Sequence, residues 1–203
     1  MSKILKNTAI LTAITLVAGS LLGLVYEITK DPIAVAQENA KQNAYRAVLA
    51  EAENFVEFDD FDADEAKAVV TEAGYTDDIT EVVVAVDASG DAIGYVVSVT
   101  SHDGYGGDIA LSVGILNDGT VKGIETLSIA ETAGLGMKAT EPAFKDQFKD
   151  KQVEKFTYTK SGEEGDDKID ALSGATITTN AVTNAVDSAL VYFQNMLGGS
   201  VNE

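Results

Sequence analysis

From Asn7 to Tyr26 the chain reads NTAILTAITLVAGSLLGLVY, twenty residues without a charge. At ~1.5 Å rise per residue, about 20 apolar residues cross a hydrocarbon core of about 30 Å. A cleaved signal peptide would need a small-x-small site just after a shorter apolar run. Ala34-Val35-Ala36 has that pattern, but it lies beyond Glu27, Lys30, Asp31 and Pro32. The run therefore reads as a retained transmembrane helix, residues 7–26. Lys3 and Lys6 precede it, and the segment after it has little net charge. The positive-inside rule then puts residues 1–6 in the cytoplasm and everything after Tyr26 on the extracytoplasmic side of the cell membrane.

The charge balance of the remainder limits its partners. The whole chain carries −19. Residues 1–30 hold three lysines and one glutamate, which leaves 11 basic and 32 acidic groups, net −21, to residues 31–203. A domain so acidic repels nucleic acid and anionic lipid surfaces. The chain has no cysteine, which removes disulfides, iron–sulfur clusters and thiolate zinc sites.

Asp31-Pro32 reads as an N-cap and first helical residue, so a separate membrane-proximal helix is expected within residues 31–54, with a folded domain over 55–203. The acidic passage Glu57–Glu65 places Asp60, Asp62 and Asp64 at calcium-loop spacing. Glu65 stands where such a loop needs glycine, and Thr71 where it needs glutamate, so the passage reads as a solvated acidic face. From Ile79 the texture becomes β. ITEVVVAVD and AIGYVVSVT flank the turn ASGD, and DIALSVGIL and VKGIETLSI flank NDGT, giving two similar hairpins. EPAFKDQFK predicts a short helix, KFTYTK a strand and GEEGDD a polar loop. From Asn180 to Leu197 the residues Val182, Ala185, Val186, Ala189, Leu190, Phe193 and Leu197 share one helical face, and Gly198-Gly199 ends the helix. The fold class is α+β: an antiparallel sheet with flanking helices after the transmembrane helix.

Hydrolase chemistry finds no support, because His102 is the only histidine and no Gly-x-Ser-x-Gly elbow occurs. Neither the dinucleotide nor the P-loop glycine fingerprint is present. The stretch DALSGATITTNAV, from Asp170 to Val182, is different. Gly174 permits a sharp turn, and Ser173 and Thr176 bring hydroxyls to the entrance of the closing helix. Ordinary capping accounts for that, and so does an anion held by the unpaired N–H groups and dipole of a helix N-terminus.

Asp170-Ala-Leu-Ser-Gly-Ala-Thr176 resembles the flavinylation motif of FMN-binding domains. Glu131-Thr-Ala-Gly-Leu-Gly136 is similar to the Glu-Thr-Pro-Gly-Leu-Gly loop of the same family, with Ala133 in place of the proline. Gly104-Tyr-Gly-Gly107, the Asp-Gly turn, the Pro-Ala-Phe-Lys-Asp-Gln-Phe helix and the N-terminal anchor stand in family order. The resemblance extends over essentially the whole chain, to the G subunits of Rnf-type ion-translocating ferredoxin:NAD oxidoreductases. The C subunits of sodium-pumping NADH:quinone reductases are more distant sisters.

The resemblance implies one FMN per chain, attached covalently to Thr176 as a phosphoester by an FAD-dependent flavin transferase. It implies that the transferase recognises Asp170 and the turn Ser173, Gly174 and Ala175, and that Thr132, Gly134, Leu135 and Gly136 lie close to the flavin. Tyr105 would pack on the isoalloxazine, against the alternative of a half-buried sheet tyrosine. Lys138 would meet the phosphate, against the alternative of a solvated lysine. The implied function is membrane-anchored electron transfer within an oxidoreductase that drives Na⁺ or H⁺ across the bilayer, with other membrane subunits as partners. The rival readings are a flavinylated carrier of another extracytoplasmic electron-transfer chain and a non-redox, membrane-anchored binding module whose threonines only cap a helix.

Overall fold

The computed structural model describes residues 2–198. The chain divides into two compact units, residues 1–41 and residues 42–203.

The first unit is helical. Helix α1 runs Lys3–Val48 and contains the charge-free segment. Leu11, Ile14, Leu16, Leu22 and Leu24 are each more than half exposed, so this apolar surface has no protein partner within the described residues. Pro32 lies inside α1, so the expected break at Asp31-Pro32 does not occur. Proline removes one i→i−4 hydrogen bond, and the helix formers after it, AVAQENAKQNA, carry the helix onward. The helix also stops at Val48, short of residue 54, and the unit boundary falls after Lys41. Residues 42–48 thus belong to the folded domain, because Tyr45, Val48 and Leu49 are buried in it.

The second unit is built on a five-stranded antiparallel meander in sequence order: β1 (Asn54–Glu57), β2 (Asp78–Val86), β3 (Ala92–Ser101), β4 (Ile109–Leu116) and β5 (Val121–Ile129). Both expected hairpins form, with Val82 opposite Val97 and Val113 opposite Ile124. The sheet is covered on both faces, which explains why its strands read as near-continuous apolar runs. One face meets α2 (Ala63–Glu72) and the closing helix α4 (Thr176–Met196) through Val82, Val97, Val113, Val182 and Leu190. The other meets Tyr45, Val48 and Leu49 through Val83, Ala85 and Val96.

The remaining elements meet the expectations in part. The acidic passage opens a helix: Asp62 is the N-cap of α2, its carboxylate accepting the N–H groups of Asp64 and Glu65 at 2.9 Å. The segment at 141–149 is one α-helical turn, α3 (Pro142–Lys145), followed by a 3₁₀ turn at Asp146–Phe148. It buries Phe144 and Phe148, the latter 5.0 Å from the Phe156 ring. The strand in KFTYTK is β6 (Thr157–Thr159), paired in parallel with β7 (Lys168–Asp170). The closing helix begins at Thr176, four residues before the expected Asn180. Gly198 has φ +77, as a helix stop requires, and Gly199 lies outside the described residues.

Under α4 runs a buried polar seam. The Asp187 carboxylate accepts the Phe156 N–H at 2.7 Å and the Tyr75 hydroxyl at 3.3 Å. Beside it, Asp77 accepts the Ser188 hydroxyl at 2.6 Å, while its Oδ1 has no hydrogen-bond partner among the described residues.

Candidate functional site

Two tight turns are set against each other at the start of α4. Thr132 O accepts the N–H of Leu135 at 3.1 Å, and Leu172 O that of Ala175 at 3.0 Å. Each turn has glycine at its third position with positive φ, Gly134 at +77 and Gly174 at +76, as a type II turn demands. The two meet where Leu135 Cδ2 comes within 3.2 Å of the place a Cβ would take on Gly174. A third segment, 102–107, links β3 to β4. His102 anchors its root between Asp78 and Asp108, at 2.8 and 3.0 Å, and these two carboxylates, Asp78 foremost, raise the imidazole above its ordinary range.

Between these segments and the first turn of α4 lies a cleft of ≈ 620 Å³. It brings together Tyr105, Thr132, Leu135, Gly136, Gly174, Ala175 and Thr176 from the sequence-based set. Gly134, Lys138, Asp170 and Ser173 do not line it. Lys138 is solvent-exposed, in keeping with the solvated alternative. Asp170 is exposed at the end of β7, its backbone N–H donating to Gln147 Oε1 at 2.6 Å. Tyr105 is 71% exposed at the rim, which overturns its reading as a half-buried sheet residue.

The threonines divide by role. Ala175 occupies the N-cap position, and no side chain caps the helix, so capping does not account for the hydroxyls. Thr179 is fully buried; its hydroxyl donates to Ala175 O and accepts the Leu172 N–H, both at 3.0 Å, stitching the turn to the helix. Thr178 is 1% exposed in the cleft floor. Thr176, at the first helical position, is the partly exposed one.

Glu131, Ile177 and Thr178 complete the lining and were not singled out from sequence. Ile177 is legible in hindsight, since it falls opposite the helical face of Val182, Ala185, Val186, Ala189 and Leu190, and it is exposed. Glu131 opens the quoted glycine loop, but the motif gives it no role of its own. Its Oε1 accepts the backbone N–H groups of Tyr105 and Gly106 at 2.7 and 3.3 Å, a pairing across 25 residues or more.

The cleft fits a flavin on three counts. Its volume falls within the ~300–1,000 Å³ of small-molecule sites. Tyr105, Leu135 and Ile177 offer exposed apolar surface for a planar ring. The uncapped first turn of α4 presents backbone donors where a phosphate would sit.

The first turn also carries a prediction. Ala133 holds the second position of a type II turn, where a proline's fixed φ is pre-organised. Ala133→Pro should stabilise the domain by about 0.4–1 kcal/mol by restricting the unfolded chain. A thermal melt that shows destabilisation would mean the turn cannot take the ring.

The fold and the cleft define an FMN-binding domain on a membrane-anchored chain. The family model for the FMN-binding domain matches residues 104–191, and that for the RnfG N-terminal region matches residues 1–48. The G subunit of the ion-translocating oxidoreductase complex of Methanosarcina acetivorans is 34% identical over 194 residues, covering 94% of each chain. The G subunit of the Na⁺-translocating ferredoxin:NAD⁺ oxidoreductase complex of Acetobacterium woodii is 30% identical, over 95% of this chain and 93% of its own. Its proton-translocating counterpart in Clostridium ljungdahlii is 32% identical, over 98% and 96%. Among solved structures, Shewanella oneidensis NqrC superposes with a TM-score of 0.50 at 26% identity, covering 60% of each chain. The chain belongs to the family of G subunits of Rnf-type ion-translocating oxidoreductase complexes.

Proposed function

We propose that this chain carries one FMN covalently on Thr176, as a phosphoester, and passes electrons within a redox-driven ion translocase on the extracytoplasmic side of the cell membrane. The observation that carries the reading is the state of the hydroxyls at the α4 entrance. Thr178 and Thr179 are buried, and Thr179 is committed to two hydrogen bonds, whereas Thr176 opens on the cleft. A flavin transferase drawing on FAD would place the FMN phosphoryl group on Thr176 Oγ1, with AMP leaving and the hydroxyl proton lost. Ser173, Gly174 and Asp170 form the approach to Thr176, and of these only Gly174 lines the cleft, so Ser173 and Asp170 suit recognition by that enzyme better than contact with the flavin.

When bound, the flavin supplies the redox chemistry, and the protein supplies position and electrostatics. The N–H groups of the first turn of α4 hold the phosphate, while Leu135, Ile177 and Tyr105 cover the ring and exclude water. The segment 7–26 holds no charged side chain, so the ion path belongs to other subunits of the complex. The relatives include both a Na⁺- and a proton-translocating complex, consistent with an electron-carrying subunit that does not choose the ion.

Intact mass of protein co-expressed with a flavin transferase should exceed the sequence mass by one FMN residue, with flavin absorbance. In spheroplasts, added protease should digest residues 42–203. Full protection would overturn the orientation, and protein without flavin would overturn the carrier.

A further inference from the structure

Glu131 is an acid in the wall of the cleft assigned above to a cofactor that gains negative charge on reduction. It is only 9% exposed, yet it lines the cleft. One oxygen is spoken for: Oε1 takes the N–H groups of Tyr105 and Gly106 and so fixes the segment that carries the rim tyrosine. The other, Oε2, makes no hydrogen bond among the described residues. It lies beside Gly136, where an added Cβ would stand 2.7 Å from Oε2 and 2.6 Å from Thr178 Oγ1. Glycine at 136 therefore leaves room for a carboxylate oxygen at the cleft floor. Oε2 is not among the buried unsatisfied atoms of the described residues, so it opens on the cleft and takes its hydrogen bond from whatever fills the cleft, water or ligand.

We infer that Glu131 has two tasks: Oε1 positions Tyr105 over the cleft, and Oε2 accepts a hydrogen bond from an N–H or O–H of the FMN seated there. The inference rests on the cleft being the flavin site. Its electrostatic consequence follows directly. Reduction adds negative charge to the flavin, and a carboxylate against it opposes that charge, so Glu131 holds the midpoint potential down. Because the group is almost buried, salt screens it far less than it screens the acidic surface.

Glu131→Gln separates the two tasks, since the amide oxygen still accepts from Tyr105 and Gly106 while an NH₂ group replaces Oε2. In protein without flavin, hydrogen exchange at the Tyr105 and Gly106 amides should match wild type in Glu131→Gln and quicken in Glu131→Ala. In flavinylated protein, Glu131→Gln should raise the flavin midpoint potential, and the rise should persist at high salt. A shift in the visible absorption band would assign the donor to the ring, and an unshifted band to the ribityl chain. Flavinylated Glu131→Gln with wild-type potential would overturn the Oε2 contact. So would a folded variant that takes no FMN, because ester formation on Thr176 does not require that contact. Unchanged exchange in Glu131→Ala would overturn the positioning of Tyr105. If wild type itself carries no FMN, the flavin assignment fails first, and the potential measurement is never reached.

Discussion

Thr176→Ala should abolish covalent flavin completely, leaving a colourless protein whose intact mass lacks one FMN residue as well as the side-chain difference. The domain should fold as before. No side chain caps α4, and Thr176 itself is only partly buried, so its loss leaves no buried donor or acceptor orphaned. Alanine is also the better helix former, by a few tenths of a kcal/mol up to about 0.7. Stability is therefore expected within about 0.5 kcal/mol of wild type, with an unchanged circular dichroism spectrum. Ser173→Ala should retain part of its flavin, because Ser173 belongs to the turn the transferase would recognise, does not line the cleft and does not supply the ester oxygen. If covalent flavin persists in Thr176→Ala, the acceptor is another hydroxyl. Ser173, exposed in the same turn, would then be tested before the buried Thr178 and Thr179.

Asp187→Asn should stabilise the domain at pH 8 by an amount on the order of 4 kcal/mol and leave it nearly unchanged at pH 4. Burial pushes the Asp187 carboxyl up to about 7, against the opposing pull of the Phe156 N–H and the Tyr75 hydroxyl. An unfolded chain releases that proton near pH 4. Between about pH 4 and 7 the folded protein holds a proton that the unfolded one has lost, so stability falls as pH rises through that window. Above it, the fold carries a buried charge, and about three pKa units at ~1.4 kcal/mol each set the size. Asp77 is raised by burial as well and adds a slope of the same sign. Asp78 works the other way: hydrogen bonds from His102 and then Lys67 lower it, but it is only partly buried and acts below about pH 4. In Asp187→Asn the amide oxygen still accepts the Phe156 N–H, and the NH₂ group donates to the Tyr75 hydroxyl oxygen. Chemical denaturation across this pH range measures the effect. A slope undiminished in the variant would place the titration on Asp77 alone.

The readable parts of this fold are those whose signal is local. The four long strands announce themselves by apolar content and by Asp-Gly or Ser-Gly turns, and α4 by its period. Helix α2 was readable too, because Asp62 followed by Asp64 and Glu65 is a helix-start pattern. Its acids simply resembled a solvated run. The strands β1 and β7 were not readable. At four and three residues they have no periodicity of their own and exist because a neighbour pairs with them. The site divides in the same way. The two glycine turns and Thr176 lie in short motifs, and Glu131 opens one of them, yet its role appears only when the segment carrying Tyr105 is folded against it. Lys138 shows the converse: adjacency in sequence to the glycine loop did not bring it to the cleft.

Thr176 is the first residue of a 21-residue helix whose body is locked into the core by Val182, Ala185, Val186, Ala189, Leu190 and Phe193. A flavin fastened to a loop would sweep through a volume, and the span an electron must tunnel would fluctuate with it. If it is fastened to Thr176 as proposed, its point of attachment shares the immobility of α4. Gating of electron flow would then come from the approach of a partner, from movement of the whole domain, or from the ribityl and ester bonds between the fixed hydroxyl and the ring.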